Sequence, residues 1–348
     1  MLPTLLFSTI LGEIVDKFSR LTIFRVSRIL RLVVALLYLI VIVLGYKKIL
    51  FFISSLTGTI IALEKILSFV LIKETTDNNM IAPANTLMEI SRILGTILGT
   101  SLGGIVLHTY GLKIILIICS ILAFLPIILT LEIKFKTINS ISNNLNPKFW
   151  PSKEHFSLFG SYLKDANFAK ISVARSSSIM IRFILPLMLP LLFRETNMGC
   201  NLLGFMEALC AIGTIIGSFT MNEFHSSRFY KPILLGKSSL LAICLVIFPQ
   251  ISSLNIMLFI YFIFGLCLSI QTSLNSDLQY MIKKQHQGQV SSIIFAVEGL
   301  ITTTIYGLIA VFGKFLSFHF NYYFISCFAL ICFITLLSFH PLKYLEKK

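Results

Sequence analysis

The chain alternates long apolar runs with short polar breaks, and nowhere does it show the period-two alternation of a half-buried strand. The apolar runs cover residues 1–15, 21–45, 49–72, 84–107, 112–133, 176–193, 201–221, 233–250, 254–274, 290–312 and 318–339. A helix needs roughly 17 to 25 apolar residues to cross the hydrocarbon, so these runs predict about eleven transmembrane helices. Helices follow rather than a barrel, because backbone groups in lipid must bond within their own segment. The first run is short. At about 1.5 Å per residue it reaches only about 22 Å against a hydrocarbon core of about 30 Å. It also lacks the basic start and small-residue cleavage site of a signal peptide. A helix clipped at its N-terminal end is therefore expected.

Composition agrees with this pattern. Of 348 residues, 56% are hydrophobic and 13% charged, with a mean hydropathy of +0.89, whereas a soluble domain is about 25% charged. Lys and Arg gather after alternate runs: Lys17, Arg20, Arg25, Arg28 and Arg31; Lys73; the stretch 134–175; Arg228, Lys231 and Lys237; Lys283 and Lys284; and Lys343, Lys347 and Lys348. The intervening loops hold Lys47, Lys48, Lys113, Arg194 and Lys314, a split of about 21 to about 5. The heavily basic side is expected to be cytoplasmic, with the C-terminus inside and Met1 outside. One further helix before Met1 would bring both ends inside. The net charge of +14 is explained by these loops, so no nucleic-acid partner is expected. Six of the seven cysteines lie within apolar runs and none forms a C-x-x-C, which argues against a disulfide or metal framework.

Residues 135–172 form the long polar interval, with Asn143, Asn144, Pro147 and Pro151. Phe156, Phe159, Tyr162, Leu163 and Phe168 recur there at helical spacing among lysines, and Trp150 stands where an interface anchor would sit. An amphipathic surface helix and a solvated linker both fit. The interval separates a first bundle, 1–134, from a second, 173–348, and each half contains a polar-opened helix carrying a glutamate, Glu89 and Glu298.

Gly12, Asp16, Lys17 and Arg20 make a G-x-x-x-D-K-x-x-R run that resembles the loop signature of the major facilitator superfamily. There the signature follows the second helix. The resemblance implies an all-α polytopic two-bundle fold of twelve helices, here minus the first, and a charge relay at the cytoplasmic gate formed by Asp16 with Lys17 and Arg20. Ser19 stands where the family has glycine, and Leu21 where it has a second basic residue. Residues 84–92, then Gly95, Gly99, Gly103 and Gly104, then Tyr110-Gly111-Leu112 resemble the drug- and siderophore-efflux branch. So does Leu278-Gln279 followed by residues 288–292, with Gln289 replacing a basic residue. Arg182-Phe183-Ile184-Leu185, Pro190, residues 211–213, Leu274-Asn275 and Lys283-Lys284 resemble bacterial lysophospholipid transporters of the same superfamily.

Gly95, Gly99 and Gly103 share one helix face and suit close helix contact, either sliding or static; Gly213 and Gly217 repeat the spacing. Ionisable groups within the runs carry the sharper signal, because each costs about 2.5 to 3.5 kcal/mol at the bilayer centre. Arg182, Glu207 and Glu298 are the candidates for transport and coupling. A carboxylate among them could bind and release a proton, or pair with Arg182 to hold helices together. Glu89 and Arg92, three apart, suit a structural pair, while Arg25, Arg28 and Arg31 suit snorkelling anchors. The six histidines are scattered, and no nucleophile elbow, P-loop or metal motif is present. No cofactor is expected. The reading is a proton-coupled exporter of small amphipathic compounds, monomeric in a bacterial inner membrane, with lysophospholipid flipping as the second choice. A polytopic lipid enzyme and an inactive truncated remnant are the readings of another class.

Overall fold

The computed structural model describes residues 2–132, 153–196, 201–251, 253–312 and 318–339. The predicted runs become helices α1 (Leu2–Lys17), α2 (Arg20–Leu44), α3 (Leu50–Thr75), α4 (Ile81–Leu122), α5 (Phe124–Glu132), α6 (Lys153–Leu163), α7 (Ala166–Thr196), α8 (Asn201–Phe224), α9 (Tyr230–Ile247), α10 (Leu254–Leu268), α11 (Ile270–Met281), α12 (Gln287–Phe312) and α13 (Phe318–Leu337). Among the described residues, seven helical stretches are long and apolar enough to span a membrane. α1, at 16 residues, is shorter. The spacing-based helix of the polar interval corresponds to α6, whereas Trp150 lies outside the described residues.

Local chemistry explains several boundaries. Ser19 caps α2 by accepting the Thr22 N–H at 3.2 Å. Gly45 ends the same helix in the left-handed conformation, φ 78°, and returns its N–H to the Val41 carbonyl. The predicted break between residues 107 and 112 is a sharp turn inside α4 at Gly111, whose φ of 79° suits glycine alone. The run expected to end at residue 274 instead breaks at Ser269 and continues as α11 to Met281. Hydropathy loses this continuation because α11 is rich in Gln, Asn, Ser and Asp, but Ser276 and Gln279 are buried with partners, and Gln271, Asn275 and Asp277 are half-buried and paired.

The chain forms two compact units. One comprises Met1–Asp77, Leu98–Gly160 and Ile282–Leu300; the other comprises Asn78–Ile97, Ser161–Met281 and Ile301–Lys348. In the first unit α1 and α2 both pack on α3, with Val34 and Val41 of α2 against Ile53 and Ile60 of α3, and Phe69 meets Phe295 edge to face at 6.0 Å. The opposite face of α2 leaves Ile29, Val33, Leu36, Ile40 and Val43 exposed, an apolar surface suited to lipid rather than water.

In the second unit α8 packs on α10, and α7 and α9 pack on α13. The α8–α10 crossing is the tightest. A Cβ at Gly213 would overlap the Phe262 carbonyl, one at Gly217 the Leu266 carbonyl, and one at Gly265 the Cys210 carbonyl. Small residues let the two backbones touch. The glycine row of α4 stands in more open surroundings within its units. A Cβ at Gly95 or Gly99 would meet nothing within 4 Å, and at Gly103 only Ile115 Cδ1 at 3.4 Å. Its neighbours Leu98, Leu102 and Ile105 are exposed; among the described residues, α8 and α10 make the close small-residue contact just given. Gly265→Leu should therefore abolish monodisperse folded protein or lower its thermal midpoint sharply, since overpacking costs about 1–3 kcal/mol or more. Gly99→Ala should leave the midpoint unchanged or raised in the same size-exclusion and melting assays.

Candidate transport and gating site

Two polar clusters are built into the apolar units. In the first unit, Asp16 in the last turn of α1 faces the start of α12 and accepts the N–H groups of Gly288 at 3.0 Å and Gln289 at 2.9 Å. A helix N-terminus offers unsatisfied N–H groups and partial positive charge, so a carboxylate fits there without a basic side chain. This explains how Gln289 can stand at a position where the resembling family has a cation. Two glycines make the approach possible. A Cβ at Gly12 would strike Ser292 and the Gly288 carbonyl, and one at Gly288 would strike the Asp16 carboxylate. Arg20 lies 3.9 Å from Asp16 and 2.9 Å from Glu74 on α3, which makes a short charge relay. Gly12, Asp16 and Arg20 thus come together; the side chain of Lys17 lies outside the described residues.

Burial dominates the titration of Asp16, which lies beyond the apolar part of α1. Loss of hydration pushes its carboxyl from 3.8 up to about 7, against the lowering effect of the Gln289 N–H, Arg20 and the Gly288 N–H. Deeper in the same unit, Arg28 and Arg31 both reach Glu64, at 2.9 Å and 2.7 Å. These arginines were expected as snorkelling anchors, yet here they hold α2 to α3. Glu298, on α12, belongs to this unit and is buried, 7% exposed.

In the second unit, Arg182 near the middle of α7 donates to Glu89 of α4 at 2.6 Å and to Gln271 of α11 at 3.4 Å. Glu89 also takes both Arg92 contacts, Nε to Oε2 at 2.9 Å and Nη2 to Oε1 at 2.6 Å. Two guanidinium groups therefore saturate one carboxylate, and charge-assisted bonds of this kind are the strong ones. Glu207 on α8 is within the electrostatic reach of Arg182, and its Oε1 is buried without a hydrogen-bond partner. Arg182 and Glu207 are thus brought together, with Glu298 in the other unit. The pairing of Glu89 with Arg92 agrees with their spacing, but its contact with Arg182 has no local signal, since 93 residues separate them.

A polar face on α11 completes the cluster. Gln271 meets Arg182, Asn275 meets Arg175 Nε, and Ser276 and Gln279 accept from Asn85 at 2.9 Å and 2.6 Å. Asn85 is 3% exposed and Gln279 fully buried, so these neutral bonds tie the start of α4 to α11. Their residues lie past the end of the hydropathy run that predicts this helix. Among the described residues, no group of His, Cys, Asp and Glu could hold a metal ion.

Residues 1–305 match the family model of the Major Facilitator Superfamily. The chain belongs to this superfamily. Its members are secondary transporters integral to the membrane, not enzymes. The all-helical architecture agrees with solved members of the superfamily. A bacterial homologue of the iron transporter ferroportin in an outward-facing state superposes with a TM-score of 0.74 at 13% identity, over 97% of this chain and 87% of that one. The human organic anion transporter gives 0.77 at 12% identity, over 96% and 81%, and the E. coli fucose:proton symporter 0.69 at 14%, over 95% and 87%. At these identities the likeness is one of fold. By sequence, the chain is 25% identical over 232 residues to a lysophospholipid transporter of Photorhabdus laumondii, covering 64% of this chain and 55% of that protein.

The Asp16 carboxyl has its folded value above its unfolded one, so the stability it contributes is present below pH about 4 and lost as pH rises through about 7. The thermal midpoint of the wild type should therefore fall between pH 5 and pH 8 more than that of Asp16→Asn. Equal slopes would show that Asp16 does not titrate in this window.

Proposed function

We propose that this superfamily member is a proton-coupled exporter of small amphipathic compounds that alternates access by rocking two helix bundles, 1–134 and 173–348, joined by 135–172. The observation that carries the coupling reading is the contrast between two carboxylates in one unit. Glu89 is saturated by Arg92 and Arg182, whereas Glu207 lies near Arg182 with one oxygen unaccepted. A saturated carboxylate resists protonation, and an open one beside a cation can exchange a proton and thereby bias a conformational equilibrium. Glu298, buried on α12, is the corresponding candidate in the other unit. The asymmetry of the basic loops supports a cytoplasmic C-terminus, and a monomer in a bacterial inner membrane is the setting that this reading takes. Uphill movement would then draw on the proton gradient.

The identity with the Photorhabdus protein favours a second reading, in which the amphipathic cargo is a lysophospholipid flipped across the membrane. Arg182 would suit its phosphate and the apolar helix faces its chain. The two readings part in one reconstituted preparation. Proteoliposomes with an imposed pH gradient should accumulate an amphipathic dye, and Glu207→Gln should slow this at least about tenfold, a loss of about 1.4 kcal/mol, with Glu298→Gln weakening it further. An unchanged rate in Glu207→Gln would remove that residue from coupling. Gradient-independent flipping of a fluorescent lysophospholipid, without dye transport, would select the second reading.

A further inference from the structure

The two halves of the chain carry one arrangement of side chains twice, with a change of chemistry. In the first, Gly12, Asp16 and Arg20 are spaced four apart, and Arg20 reaches Glu74 in the last turn of α3 at 2.9 Å. In the second, Gly217, Met221 and His225 keep the same spacing, and His225 Nε2 lies 3.2 Å from Asp277 Oδ1 near the end of α11. Gly12 and Gly217 are both sites of close helix approach within their units. Glu74 sits near the end of α3, the second helix after α1, and Asp277 near the end of α11, which continues α10, the second helix after α8. A permanent guanidinium in one half is thus replaced by an imidazole in the other. Met221 stands at the place of Asp16, so no second carboxylate shares the position.

His225 is enclosed by aromatic rings and faces one carboxylate. The ring is 4% exposed; it lies against Tyr230 of α9, centroids 4.8 Å apart, and Tyr280 of α11, 5.8 Å apart. Tyr230 donates to the other Asp277 oxygen at 2.6 Å, and Tyr280 donates to the Asn78 carbonyl at 2.5 Å. Asp277 is thereby held facing the imidazole. Nε2 makes no aligned hydrogen bond, so a neutral ring gains little from the carboxylate beside it, whereas an imidazolium gains a direct charge contact. Of the other charges on the adjoining segments, Glu223 is exposed, Arg228 lies over the Phe229 ring, Lys231 donates to the Leu337 carbonyl, Lys237 donates to the Gly217 carbonyl, Thr220 and Ser269, and Lys283 and Lys284 follow the end of α11.

We propose that His225 and Asp277 form an acid-sensitive brace, closed by protonation of His225, that ties the turn between α8 and α9 to the end of α11. Histidine is the side chain whose charge ordinarily changes between pH 5 and 8. The sign is that of a cation gaining a partner. The attraction is present at acid pH and is lost as pH rises and the ring becomes neutral. In the first half a guanidinium, Arg20, stands at the corresponding place and faces Glu74. The brace depends on neither the cargo nor the direction of transport, and it gives the second half a response to acidity that the first half's arginine withholds.

Hydrogen exchange of residues 222–232 tests the proposal in nanodiscs of phosphatidylethanolamine and phosphatidylglycerol. The measurements compare pH 5.5 with pH 8.0, corrected for the intrinsic pH dependence of exchange and made in an Asp16→Asn background that silences the first half's own titration. The unaltered brace should be about three- to fivefold better protected at pH 5.5, the size of a modest ion pair. His225→Gln should lack the step. His225→Arg, which keeps a cation and the contact, should be protected at both pH values to the acid level. Equal protection at the two pH values without a change at His225 would overturn the proposal, as would a step that persists in His225→Gln or His225→Arg.

Discussion

Charge placed among apolar helices must be met by opposite charge or by aligned backbone dipoles, and the tertiary structure of this chain follows from how that demand is satisfied. An isolated ion at the bilayer centre costs about 2.5 to 3.5 kcal/mol even on the insertion scale, comparable to burying a whole leucine. Asp16 answers with the N-terminus of α12, Glu64 with two arginines, and Glu89 with two more. Lys237, on α9, takes three neutral oxygens instead: the Gly217 carbonyl, Thr220 and Ser269. Each solution joins elements distant in sequence, so satisfying the charges and assembling the units are one event.

The same constraint separates structural from functional charge. A carboxylate that accepts from two guanidiniums is committed to its helices, and Glu89 is of that kind. Glu207 keeps an oxygen in reserve. Asp16 lies between these extremes, held by two N–H groups yet pushed up to about 7 by burial. The unit containing Glu207 also holds the tight α8–α10 crossing. Its carboxylate is thereby mounted one helical stretch away from the stiffest contact in the unit, on a helix whose backbone has little freedom to drift.

Much of the fold was legible because hydropathy and turn chemistry are local. The runs, the Gly111 break and the pairing of Glu89 with Arg92 need only a window of a few residues. What escaped was long-range. In the sequence Glu89 shows only its local partner Arg92, because Arg182 is 93 residues away, and the end of α11 reads as loop because its polar side chains are met by α4, α7 and α9. His225 seemed one of several scattered histidines, since nothing near it in sequence marks Asp277. The glycines of α4 illustrate the converse. Their spacing is that of a packing face, yet spacing gives a shared face without saying what lies against it.

The triad of Arg28, Arg31 and Glu64 also bears on how the chain enters its membrane. In this triad α2 contributes two of its four arginines and α3 contributes Glu64, with a short turn at Lys47–Ile49 between the helices. Glu64 would meet lipid unmatched if α3 stood alone, whereas beside α2 it is met by two guanidiniums. Entering lipid as a pair therefore costs α2 and α3 less than entering it separately, so a contact that reinforces the finished protein also favours the joint insertion of its two helices.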